Sequence, residues 1–135
     1  MRRSFLLAGI FFAGLAVALG AFGAHGLKKI VEEQTVEVFK TGVQYQFYHA
    51  LALILTSIIS QRITLKEISW AGNLFIAGII LFSGSLFTIT AFKAMGSEVP
   101  NFIGPITPAG GLLFIAGWLL LLIAAVKTKQ FPREG

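Results

Sequence analysis

The chain contains no cysteine. That excludes disulfides, thiolate metal sites and cysteine nucleophiles, and it leaves the redox compartment unread. Charge is scarce as well: 13% of the 135 residues are charged, and only six are acidic. No hydrolase triad, phosphate-cradling loop, carboxylate pair or buried acid stands out, so the chain is expected not to be an enzyme. The net charge of +5 is not gathered on a polar face of the kind nucleic acid requires. What the chain has in excess is apolar: 56% of residues are hydrophobic and the mean hydropathy is +0.81. A soluble domain of this length leaves too much of its surface exposed to bury that much apolar material.

Long apolar runs separated by short polar stretches predict an all-α integral membrane protein, a four-helix bundle forming a single domain over residues 1–135. The expected spans cover about residues 5–25, 42–61, 70–92 and 107–126. The first follows Arg2-Arg3 and ends in small residues, as a cleavable signal does. It is longer than a usual signal core and is expected to be a retained helix. Between the first two spans, residues 27–41 mix Leu27, Ile30, Val31, Val38 and Phe39 with lysines and glutamates. This pattern predicts a short amphipathic helix lying on the interface.

The cations set the expected orientation. Arg2, Arg3, Arg62, Lys66, Lys127, Lys129 and Arg133 fall on one side, and Lys28, Lys29, Lys40 and Lys93 on the other. The richer side is expected to be cytoplasmic, which places both termini there in a multi-pass inner (plasma) membrane protein. The excess charge is then a topology signal.

Size and polarity assign faces to the spans. In the first, Phe12, Leu15, Leu19 and Phe22 form a bulky ridge expected to face lipid, while Gly9, Ala13, Ala16, Gly20 and Gly23 form a small-residue stripe. Gly110, Gly117 and Ala124 repeat the device in the fourth span. Such stripes allow close helix approach, toward a neighbouring span, a second copy in a homo-oligomer or a larger membrane complex. In the second span Gln46, His49, Thr56 and Ser60 line one face and are expected to turn inward. Asn73, Ser83, Ser85, Thr88 and Thr90 of the third span are candidate partners, although hydroxyls there also bond back to their own helix.

A polar layer is expected near the outer leaflet. It joins His25, Tyr45, Gln46, Tyr48 and His49 to the start of the fourth span, where Thr107 reads as an N-cap and Pro108 as the first helical residue. The amides of Ala109, Gly110 and Gly111 would then be free donors for an anion or a lipid head group. Three readings compete for the layer: structural satisfaction of helix ends, a site for a small molecule, lipid, quinone or haem, and a transport path requiring oligomerisation. The residues name no cofactor. His25 and His49 are weak metal candidates, because their depths differ by about 12 Å at 1.5 Å per residue and no carboxylate adjoins them. The role expected is a non-enzymatic accessory or ligand- or lipid-binding factor. The alternatives are an oligomeric small-solute transporter or channel and a haem- or quinone-binding redox subunit.

Residues 21–27 (AFGAHGL), 41–51 (TGVQYQFYHAL), 82–85 (FSGS) and 106–111 (ITPAGG) through Gly117-Trp118 resemble a known group. They are similar to the small membrane proteins of uncharacterised protein family 0382, also called domain of unknown function 423, with eukaryotic transmembrane protein 256 a further likeness. The resemblance implies four membrane helices and brings no established activity.

Overall fold

The computed structural model describes residues 2–129, so Arg133 of the charge reading lies outside the described residues. The described residues are helical, with no strand among them. Helix α1 runs Arg3–Ala24 and is followed by a short 3-10 turn, Leu27–Lys29. Helix α2 runs Glu33–Ile59. Helix α3 (Lys66–Gly78) passes through a wide π turn (Ile79–Ser83) directly into α4 (Gly84–Ala94). Helix α5 runs Ile106–Lys127.

Three helical rods, Arg3–Lys29, Lys66–Ala94 and Ile106–Lys127, are long and apolar enough to cross a membrane. Helix α2 is long enough but less apolar, since Gln44, Tyr45, Gln46, Tyr48 and His49 interrupt its hydrophobic run. Many large apolar side chains point outward, among them Phe11, Val17, Ile80, Leu112, Leu122 and Val126. Contiguous apolar exposure on this scale calls for a surround other than water.

The expected separate interfacial helix is absent. Residues 33–41 are the first turns of α2, which at 27 residues spans about 40 Å. The reason lies in packing: Leu27, Val36 and Phe39 form a small core at this end of the bundle, with Leu19, Val43 and Phe87 against it. Burying Val36 and Phe39 holds these turns in phase with the rest of α2.

Helices α2 and α3–α4 occupy the middle, with α1 packed along α2 and α5 along α3 and the π turn. The main core joins Phe5, Leu53, Ala71, Phe75, Ile79 and Phe114. The small-residue stripes face neighbouring helices of the same chain. Gly9, Ala16 and Gly23 are buried in α1, and Gly110, Gly117 and Ala124 in α5. The outward ridge of α1 is shifted from the expected one: Leu15 and Phe22 are exposed, whereas Phe12 and Leu19 are half-buried against the two cores. Helices α3 and α5 interlock through phenylalanines seated on glycines. A methyl group at Gly117 would lie 2.6 Å from the Phe75 ring, and one at Gly78 would lie 2.4 Å from the Phe114 ring. At Gly110 the obstacle is backbone, with the Phe82 amide nitrogen 2.4 Å away. The π turn that carries Phe82 therefore presses main chain against main chain.

Gly110→Ala is expected to destabilise the bundle by about 1–3 kcal/mol, because backbone at that distance cannot rotate aside. Gly14→Ala, where nothing lies within 4 Å, is expected to be neutral or to stabilise by up to about 1 kcal/mol through helix propensity. Unfolding in detergent checks both.

Candidate functional site

The polar stripe of α2 is built by its helical spacing and lies inside the bundle. Gln46, His49 and Thr56 are buried and Ser60 is half-buried. Each finds a partner within the chain. Gln46 Nε2 donates to the Phe12 carbonyl at 2.9 Å, tying α2 to α1. Thr56 Oγ1 donates to its own helix at Ala52 O, 2.7 Å away. Near the end of α2, Ser60 Oγ donates to Ser57 O and accepts the Arg2 amide, while Ser57 Oγ donates to Arg2 O. These last bonds hold Arg2 by its main-chain atoms to serine hydroxyls of α2 and its C-cap. No buried side-chain nitrogen or oxygen among the described residues lacks a partner, as an environment without water demands.

His49 is the hub. Its Nδ1 sits 2.7 Å from Tyr45 O, and Trp118 Nε1 lies 3.0 Å from Nε2. An indole N–H can only donate, so Nε2 must be the accepting nitrogen and the proton resides on Nδ1, which donates to Tyr45 O. The imidazole stacks on Phe114 at 3.6 Å between centroids and 10° between planes. Phe75 and Trp118 close around it at 5.5 and 5.9 Å. Tyr45 extends the stack outward, touching Tyr48, Phe82 and Phe114. The result is a buried histidine under a half-exposed aromatic surface of Tyr45, Tyr48 and Trp118.

The other expected site residues are placed differently. Thr107 is not the N-cap of α5: Pro105 holds that position, Ile106 begins the helix and Pro108 is its third residue. The preceding turns wind straight into the helix, with Ile106 N bonded to Ile103 O and Ala109 N to Pro105 O. Gly110 and Gly111 lie beyond the first turn. The free amide donors expected at Ala109–Gly111 are therefore not formed, and Gly110 serves as the backbone contact with Phe82. Thr107 Oγ1 instead meets Ser85 Oγ at 2.6 Å, and Ser85 Oγ lies 2.8 Å from Phe82 O. His25 is exposed at the end of α1, and no side-chain contact joins it to His49. With both nitrogens of His49 engaged, the pair offers no shared metal site. No metal-holding group of His, Cys, Asp or Glu occurs among the described residues.

In the π turn between α3 and α4, Ser83 Oγ donates across to Gly42 O at 2.6 Å. Thr88 and Thr90 bond back to their own helix. Asn73, expected as a partner for the stripe, is exposed, because it lies opposite the face that buries Ala71, Gly72 and Phe75. Among the described residues one acid is buried, contrary to the sequence expectation: Glu67 in the first turn of α3 pairs with Lys127 in the last turn of α5. Ser83 is among the expected partners and bonds the α2 backbone, whereas Trp118, Phe114 and Ser57 are parts of the site that the polar pattern does not point to. Trp118 carried the available signal, since an indole in a span needs an acceptor.

Comparison with known proteins adds a family and no activity. A family model described as "Protein of unknown function (DUF423)" matches residues 19–111. The chain is similar to UPF0382 membrane protein YwdK of Bacillus subtilis (strain 168), with 41% identity covering 93% of this chain and 98% of the relative. UPF0382 membrane protein SAB0533 of Staphylococcus aureus (strain bovine RF122 / ET3-1) is 42% identical, covering 93% and 97%. UPF0382 membrane protein SH2409 of Staphylococcus haemolyticus (strain JCSC1435) is 40% identical over the same shares. No solved structure matches.

His49→Ala is expected to cost about 2–4 kcal/mol, from the lost stack and an unpaired Trp118 N–H. His25→Ala should stay within about 0.5 kcal/mol of wild type. Parallel unfolding curves in the same detergent provide the check; equal losses would contradict the placement.

Proposed function

Because the chain belongs to the DUF423 family of membrane proteins of unknown function, we propose a role that is neither catalytic nor conducting. In this reading it is a four-span inner-membrane protein, with α1, α2, α3–α4 and α5 as the spans and both termini on the cytoplasmic side. It acts as an accessory factor through its lipid-facing surface. The supporting observation is that the polar groups inside the bundle are consumed by one another. A transport path needs polar groups that exchange partners with a moving solute, and a haem ligand needs a free imidazole nitrogen. Both nitrogens of His49 are engaged, so axial ligation would first have to break the Trp118 bond. What remains open to a partner is the exterior, where Tyr45, Tyr48 and Trp118 present flat amphipathic rings above the His49 hub. Such rings suit lipid, a planar apolar ligand or a helix of a larger complex.

Native mass spectrometry and an absorption spectrum of gently extracted protein test the proposal. The expected result is a colourless chain carrying lipid or a membrane partner, with the same adducts in His49→Ala under conditions where that variant stays folded. A chromophore in the wild type that disappears in His49→Ala would overturn it in favour of a redox role.

A further inference from the structure

At the end of the bundle away from the Leu27–Phe39 core, the start of α1, the end of α2 and the start of α3 line a half-open pocket of about 280 Å³. A water molecule's share of liquid is about 30 Å³, so the space admits a group considerably larger than a single water. Ile63, Leu65 and Ile68 give its lining an aliphatic part, and Arg2, Ser60, Thr64 and Ser69 line it as well. We propose that this pocket binds a phosphate group carried by an anionic ligand, with the Arg2 guanidinium as the principal contact.

Three observations carry the proposal. First, Arg2 is held in place by its backbone: its amide bonds to Ser60 Oγ at 3.0 Å and its carbonyl to Ser57 Oγ at 2.8 Å. The side chain is left uncommitted apart from its approach to the Phe5 ring, 5.8 Å from the centroid. Second, among the described residues the cations at this end outnumber the acids that pair with them. The buried acid there, Glu67, is taken by Lys127, and among the described residues no carboxylate lies in ion-pair reach of Arg2, Arg3 or Arg62. At the other end Lys40 meets Glu37 at 3.3 Å and Lys93 meets Glu32 at 4.0 Å. Third, the chemistry of the lining is amphipathic. A guanidinium fork matches phosphate oxygens bidentately, hydroxyls donate to the remaining oxygens, and the aliphatic part accommodates an apolar portion. Either the head group of an anionic phospholipid or free phosphate could supply that group.

The inference rests on the membrane reading above but uses none of the residues around His49. The test takes full-length protein in mixed micelles of phosphatidylglycerol and phosphatidylcholine and counts retained lipid by native mass spectrometry, with and without inorganic phosphate. Arg2→Gln preserves the backbone clamp and is expected to cut phosphatidylglycerol retention, or phosphate binding, about tenfold. Ser69→Ala, which removes a hydroxyl and no charge, should lose about threefold. Lys129→Gln, an exposed cation outside the pocket, should lose no more than the about fivefold expected of one interfacial charge. Retention that inorganic phosphate leaves intact assigns the group to lipid, and displacement by inorganic phosphate assigns it to the free ion; both support the pocket. Equal losses in Arg2→Gln and Lys129→Gln, or unchanged binding in both Arg2→Gln and Ser69→Ala, overturn it. An extract that retains no lipid of any kind counts instead against the membrane accessory reading.

Discussion

Everything in this bundle follows from one constraint: a polar group placed where water is absent must find its hydrogen-bond partner inside the protein. Helix α2 places Gln46, His49 and Thr56 at such positions. Satisfying them fixes the neighbours, because Gln46 needs the α1 backbone and His49 needs Trp118 of α5. The two flanking helices are thus each tied to the central one by a specific bond. Dispersion packing then completes the arrangement. Lipid removes the usual hydrophobic incentive for helix association, so close approach and shape must supply it. The phenylalanines seated on Gly78 and Gly117, and the backbone contact at Gly110, provide that closeness.

The same constraint explains why the π turn sits where it does. Widening the helix at Ile79–Ser83 brings the main chain of Phe82 against Gly110 and directs Ser83 Oγ at Gly42 O. The carbonyl of Phe82 also receives Ser85 Oγ, which in turn meets Thr107. One local irregularity therefore connects α2, α4 and α5. It also carries Phe82 to Tyr45, at the edge of the aromatic surface. The membrane-facing chemistry and the interior packing are consequences of one geometry.

Much of this was legible in the residues. The inward turn of the α2 stripe and the packing role of the glycine stripes followed from helical spacing, and the helical class followed from apolar run length. Four features were not legible, each for a physical reason. The interfacial helix merged into α2 because Val36 and Phe39 found a core that amphipathic patterning alone does not reveal. The start of α5 moved ahead of Thr107 because the turn through Pro100–Pro105 continues directly into the helix. The partner of His49 lies 69 positions away, and no local pattern marks a contact at that distance. The ligand-site reading of Thr107–Gly111 depended on free amides, and those amides are used or buried in the helix. The burial of Glu67 has no local mark either, because its partner Lys127 lies 60 positions away, on another helix.

His49 and Trp118 are bound to each other across α2 and α5, and a double-mutant cycle reads that bond directly. Unfolding free energies of wild type, His49→Phe, Trp118→Phe and the double variant would be measured in the same detergent. A coupling of about 0.6–1.7 kcal/mol, between the average and the maximum for hydrogen bonds between membrane helices, is expected. Strict additivity of the two substitutions would contradict the claim that this bond anchors α5 to the centre of the bundle.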